Sequence, residues 1–98
     1  MTTLVMPRLT GSRLSARNLA EQLPVETLRE DTVVLDARSM DAASQSFADE
    51  LVLRILGENR ANRFEVHGAT RRFAEHLNVS AQVRGVADRI NVTARIDG

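Results

Sequence analysis

The polar residues that could carry chemistry in this chain stand at the expected starts of two helices. At the first start, Ser46 lies three residues before Asp49 and ahead of an apolar run, a spacing typical of a capping box. In a capping box the hydroxyl accepts a backbone N–H of the first turn, and the acid bonds back. Asp49 and Glu50 also suit the positive end of a helix dipole. The pattern predicts Ser46 as the N-cap and the two acids as its local support.

At the second start, Thr70, Arg71 and Arg72 combine a capping hydroxyl with two guanidinium groups. Backbone N–H groups and guanidinium forks together can hold a phosphate or an acidic partner segment. The alternative is structural, with Thr70 as a cap and the arginines paired to nearby acids such as Glu75. Both interpretations stay open, and the three residues are a candidate anion site.

A catalytic or metal site is not favoured. Asp36, Asp49, Glu50 and His67 could meet at one sheet edge, but their spacing matches no known ligand pattern, and the chain has no Cys. We expect Asp36, at the end of a strand, to accept N–H bonds from the following loop. The sequence therefore predicts a protein that is not an enzyme and that binds no metal or cofactor.

Composition and charge limit the classes of partner that the protein is expected to bind. The 98 residues are 43% hydrophobic, and 13 basic residues balance 13 acidic ones, so no net field attracts nucleic acid or an anionic membrane. All the basic residues are Arg, which suits either carboxylate recognition or a codon bias. No stretch is apolar enough to cross a bilayer. We expect a cytoplasmic protein without membrane or nucleic-acid partners.

Hydrophobic periodicity predicts alternating strands and helices. We expect a single α/β domain over residues 1–98, with about four strands in a mixed sheet and about three helices packed on it. Pro24 should end the first helix or open a short turn through Leu28, and no single period describes Val79 to Asp88. The predicted elements are a strand at Thr3–Met6, a helix capped by Ser15 with Ala16, Leu19, Ala20 and Leu23 inward, a strand at Thr32–Ala37, a helix from Phe47 to a stop at Gly57, a strand at Asn62–Gly68, a helix from Thr70 through Leu77, and a final strand at Ile90–Ile96.

Leu53 interrupts the polar face of the central helix. At about 100° per residue it lies nearly opposite the centre of the apolar face that includes Leu51 and Ile55, beside Glu50 and Arg54. The helical pattern therefore places an apolar side chain in solvent, which makes Leu53 a candidate binding residue.

The segment "DTVVLDARSMDAASQSFADELVLRIL" resembles the STAS superfamily of anti-sigma-factor antagonists and sulfate-transporter tails. It is most similar to the bacterial and phage STAS-like domain of unknown function, through Asp36 at a strand end and the hexad "SFADEL" opening a helix. "GSRLSARNLAEQL" resembles the Ser-Arg segment and first helix of that family, and "GATRRFAEHLNV" is similar to a later strand-to-helix step of the superfamily. The resemblance covers about residues 5–79 and leaves residues 80–98 as an extension or a last strand.

The resemblance implies a regulatory protein-interaction module without catalysis of its own. In anti-sigma-factor antagonists, a Ser or Thr at this helix start is phosphorylated by a partner ATPase of the anti-sigma type, and the modified form releases that partner. Ser46 occupies the corresponding position, so it is the candidate phosphoacceptor, with Asp49, Glu50 and Leu53 as expected partner contacts. The superfamily usually has a Gly after the acceptor, where this chain has Phe47.

Two other functions stay open. One is an anion or nucleotide sensor that uses Thr70, Arg71 and Arg72. The other is a structural scaffold that self-assembles through the unpaired edge of the final strand, Ile90–Ile96. For the regulatory function we expect a monomer or a weak homo-oligomer.

Overall fold

Strands and helices alternate along the chain in the computed structural model, which describes residues 2–6, 9–10, 13–22, 32–40, 42–58 and 61–95. The predicted turn from Pro24 to Leu28, the inward position of Leu23 and the end of the final strand at Ile96 lie outside these residues. The described elements are β1 (Thr2–Val5), β2 (Leu9–Thr10), α1 (Arg13–Ala20), β3 (Thr32–Asp36), β4 (Ala42–Ala43), α2 (Gln45–Val52), a π-helical turn (Leu53–Glu58), β5 (Arg63–Ala69), α3 (Arg71–Val83), a 3₁₀ turn (Ala87–Arg89) and β6 (Ile90–Ala94).

The main sheet has four strands in the order β1-β3-β5-β6, and every neighbouring pair is parallel. The α/β class, the four strands and the three helices are as predicted, but the prediction of a mixed sheet was wrong. Each pair of neighbouring strands is joined by a connection that contains a helix. Such a crossover brings the chain back to the edge where the previous strand began, so the next strand runs parallel to it. A small second sheet pairs β2 with β4, also in parallel.

Alternation along β5 separates the core from the other face of the sheet. Phe64 and Val66 are fully buried in the same cluster as the inward residues of all three helices, whereas Arg63 and His67 are exposed. The predicted inward residues of the helices, apart from Leu23, lie in this cluster. They are Ala16, Leu19, Ala20, Phe47, Ala48, Leu51, Val52, Ile55, Leu56, Phe73 and Leu77, with Ala74 partly buried against it.

Both Ser caps predicted from the sequence are corrected. α1 already includes Arg13, so Ser15 lies inside the helix rather than at its cap. α2 starts at Gln45, and its N-cap is Ser44 instead of Ser46. Ser44 and Ser46 both precede the apolar run of α2, and only the backbone conformation decides which one caps the helix.

The prediction of a helix end near Leu77 was also wrong, because α3 continues to Val83. Gly85 ends it with a positive φ of 72°, and the N–H of Val86 donates to the carbonyl of Ala81 at 2.8 Å. Together with the bond from the Gly85 N–H to Gln82, this is a Schellman motif. The stretch without a clear period is therefore the end of a helix followed by a tight turn.

The predicted last strand is confirmed as β6, which lies at an edge of the main sheet. Self-assembly through that edge stays a prediction.

Candidate functional site

The starts of α2 and α3 are built alike. The Ser44 Oγ accepts the N–H of Phe47 at 3.1 Å, and the Thr70 Oγ1 accepts the N–H of Phe73 at 3.2 Å. In each helix the capped N–H belongs to a fully buried phenylalanine at the third position. The prediction of Thr70 as a cap is confirmed.

The two helix starts also lie side by side. The rings of Phe47 and Phe73 have their centroids 6.2 Å apart at a tilt of 49°, a favourable aromatic geometry. Both helices follow parallel strands, so both begin at the carboxyl edge of the sheet, where ligand sites of α/β folds are usually found. Ser46 directly precedes Phe47, and Arg72 directly precedes Phe73. Ser46 and Arg72 therefore lie at the same edge of the sheet. We call this edge, with Ser46, Thr70, Arg71 and Arg72, the α2–α3 edge.

Ser46 is exposed at the second position of α2. Because Ser44 caps the helix, Ser46 is not needed for that role. Its side chain is accessible to a modifying enzyme or a partner.

Arg71 and Arg72 are exposed at the first two positions of α3. Neither forms an ion pair with any residue that the structure describes, so the pairing with Glu75 that the structural alternative proposed is not formed. Their charges face solvent at the α2–α3 edge.

Asp49 is held by two arginines. The Arg84 Nη2 and Nε donate to its carboxylate at 2.7 Å and 3.0 Å, and the Arg13 Nη1 donates at 3.0 Å. Hydrogen bonding to Arg84, with a smaller contribution from Arg13, lowers the pKa of Asp49 to about 2. This carboxylate joins α2 to the start of α1 and to the residue that caps the end of α3.

Glu50 is only 4% exposed, although it is charged. The Arg54 Nε donates to it at 2.7 Å and the Arg13 Nη1 at 3.4 Å, and these bonds, led by that of Arg54, lower its pKa despite the burial. Among the expected partner contacts, Asp49 and Glu50 are thus engaged in intramolecular ion pairs. Their role toward a partner stays a prediction.

Leu53 is half-buried rather than on a fully exposed face. It begins the π-helical turn, and a Cβ at Gly57 would lie 3.4 Å from its Cδ1. The predicted stop at Gly57 is also displaced, since this residue lies inside the turn. A wider helical turn changes which residues share a face, so the projection at 100° per residue fails here.

The prediction that Asp36, at the end of a strand, accepts an N–H bond from the following loop is confirmed. Its Oδ1 accepts the backbone N–H of Arg38 at 3.1 Å, and the guanidinium of Arg38 binds both carboxylate oxygens at 2.9 Å and 2.8 Å. These bonds lower the pKa of Asp36 to about 2. His67 stands opposite it in register on β5. The described residues contain no cluster of three side chains that could hold a metal ion.

Arg89 and Arg95, on either side of β6, were not singled out from the sequence. The Arg95 guanidinium donates to the carbonyls of Gly68, Ala37 and Met40 at 2.6–2.7 Å, and Arg89 donates to those of Leu56, Ala61 and Asn62. Arg95 ties the end of β6 to β5 and to the loop after β3, and Arg89 ties the start of β6 to the π-helical turn and to the residues before β5. No local pattern marks such contacts, because their partners lie 27 or more positions away.

No helix among the described residues is long and apolar enough to cross a membrane. Comparisons of the chain with protein-family models, with curated proteins and with solved structures give no match. The STAS-like character therefore stays a prediction based on the residues from Asp36 to Leu51.

Proposed function

We propose that the protein is a STAS-like, non-catalytic regulatory module of the cytoplasm that binds a protein partner at the α2–α3 edge, and that modification of Ser46 controls this binding. The observation that carries the proposal is the exposure of Ser46 beside a cap formed by Ser44. A serine at the very start of a helix that is neither buried nor the cap is free for a regulatory role.

The modification is phosphoryl transfer from a nucleoside triphosphate, catalysed by a partner ATPase of the anti-sigma type. The Oγ of Ser46 forms a bond to the γ-phosphorus while the bridging P–O bond breaks, leaving a nucleoside diphosphate and releasing the hydroxyl proton. The product adds about two negative charges at this edge.

Two exposed arginines explain why a negative charge on Ser46 would affect the binding of a partner. Arg71 and Arg72 present two cations at the edge where Ser46 lies. They favour an acidic partner segment, since guanidinium groups bind carboxylates through paired hydrogen bonds. A phosphate on Ser46 would reduce this positive field and weaken the binding of that segment.

Affinity capture from a lysate of the native host tests the proposal. Wild type, Ser46→Ala, Ser46→Asp and a control, Asn78→Asp, are used as baits. Asn78→Asp adds the same charge at an exposed position of α3, two turns beyond Arg71. We expect a regulatory or ATPase-like protein to be held by wild type, Ser46→Ala and Asn78→Asp, and to be lost with Ser46→Asp. Equal capture by all four baits would contradict a switch at Ser46.

The exposed charges of Arg71 and Arg72 also favour a second function, an anion or nucleotide sensor. In that case added nucleotide should raise the melting temperature of wild type, and Arg71→Gln with Arg72→Gln should abolish the rise. No change in melting temperature for wild type would remove this function.

A further inference from the structure

Arg13 is the first described residue of α1 and bonds to both acids of one ion-pair cluster. The cluster consists of Asp49 and Glu50 on α2 with Arg13, Arg54 and Arg84. Its Nη1 donates to Asp49 at 3.0 Å and to Glu50 at 3.4 Å. The side chain of Arg13 is 52% exposed. Arg13 is the most exposed of the three arginines that bind these acids, so solvent screens its bonds the most.

The two carboxylates do not depend on Arg13 alone. Arg84 binds Asp49 through two nitrogens, at 3.0 Å and 2.7 Å. Arg54 binds Glu50 at 2.7 Å from a side chain that is half as exposed as that of Arg13. If Arg13 moved away, both acids would keep a charged partner.

Ser46 lies on the side of α2 that carries the two acids bound by Arg13. It precedes Asp49 by three residues and Glu50 by four, and side chains at these spacings are neighbours on a helix surface, with about 5–6 Å between their Cβ atoms. A guanidinium that bonds both acids therefore lies on the side of the helix where a group on Ser46 would stand. A phosphate there would offer three strong acceptor oxygens and about two charges, against one charge on each acid.

We propose that Arg13 is the residue that binds the phosphate on Ser46, moving its hydrogen bonds from Asp49 and Glu50 to the phosphoserine. This inference rests on the proposed modification of Ser46. In the unmodified protein Arg13 joins α1 to Asp49 and Glu50, and in the modified protein it would join α1 to Ser46 in the first turn of α2. The modification therefore changes the contact between two helices as well as the charge of the α2–α3 edge.

The test uses the full chain with phosphoserine installed at position 46 during translation, and follows the second pKa of the phosphate by ³¹P NMR. We expect this pKa to be about half a unit to one unit lower in the otherwise wild-type chain than in Arg13→Gln, since a nearby cation favours the dianion. Arg13→Lys, which keeps the charge, should restore part of the difference.

Arg17→Gln is the matched control, because it removes the same charge one turn further along α1. Arg17 acts on Glu50 through its charge alone, so Arg17→Gln should shift the phosphate pKa much less than Arg13→Gln does. Equal pKa values in wild type and Arg13→Gln, or equal shifts in Arg13→Gln and Arg17→Gln, would overturn the assignment of Arg13. Thermal unfolding of each variant verifies that it is folded.

This experiment needs neither the partner nor its kinase. If the phosphorylated chain still captures the partner while Arg13→Gln shifts the pKa, the switch at Ser46 fails and the role of Arg13 stands. If phosphorylation releases the partner while Arg13→Gln leaves the phosphate pKa unchanged, the switch at Ser46 stands and the role of Arg13 fails.

Discussion

At the scale of single residues, the two serines at the start of α2 have different roles. Ser44 accepts the N–H of Phe47, whereas Ser46, two positions on, is exposed. The hydroxyl that matters for folding and the hydroxyl proposed for regulation are therefore separate. A change at Ser46 can act on binding without removing the helix cap.

Alanine substitutions should separate the two serines. We expect Ser44→Ala to lower the free energy of unfolding by about 1 kcal/mol, the usual effect of losing an N-cap. Ser46→Ala should change it by less than about 0.5 kcal/mol, as is typical of exposed positions. Urea denaturation of both variants measures the difference. A larger loss in Ser46→Ala than in Ser44→Ala would show that Ser46 is the cap in solution.

At the scale of elements, helix ends decide how α2 and α3 connect to the sheet. Gly85 ends α3 with a positive φ, so the chain can turn into the 3₁₀ segment and β6. The Arg84 that caps the same helix end binds Asp49 of α2. One helix end thus both redirects the chain and joins the neighbouring helix.

Alanine at two glycines should have effects of opposite sign. Gly85→Ala places a Cβ at a φ of 72°, and we expect a loss of about 1 kcal/mol or more. Gly57→Ala lies in a helical turn without a positive φ, and among the described residues its Cβ would meet only Leu53, so the stability should stay the same or rise by up to about 1 kcal/mol. Thermal unfolding of the two variants measures both effects. A stabilising Gly85→Ala would contradict the Schellman end.

At the scale of the whole molecule, carboxylates bound to arginines link distant parts of the chain. Asp49 and Glu50 join α1, α2 and the end of α3, and Asp36 fixes the loop after β3. All three have pKa values below their ordinary range because arginines stabilise the charged form.

Acid should therefore destabilise the folded state. These acids have lower pKa values in the folded state than in the unfolded chain, so their contribution is complete above about pH 5 and is lost as the pH falls toward 2. Denaturant unfolding at pH 7 and pH 3 should show a lower free energy at pH 3. In Asp49→Asn the difference between the two pH values should be smaller. An equal difference in wild type and Asp49→Asn would show that the Asp49 pairs contribute no pH dependence.

The sequence alone determined the alternation of strands and helices, the inward faces of the helices and the role of Asp36, because these depend on residues within a few positions of each other. It could not choose between Ser44 and Ser46, since the cap depends on where the backbone leaves the preceding loop. The all-parallel order of the strands, the burial of Glu50 and the meeting of Phe47 with Phe73 were decided only by the tertiary structure. These features join segments far apart in the chain. Local patterns carry no information on which distant residues will meet, whereas the packed structure places the two helix starts, and with them Ser46 and Arg72, at one edge of the sheet.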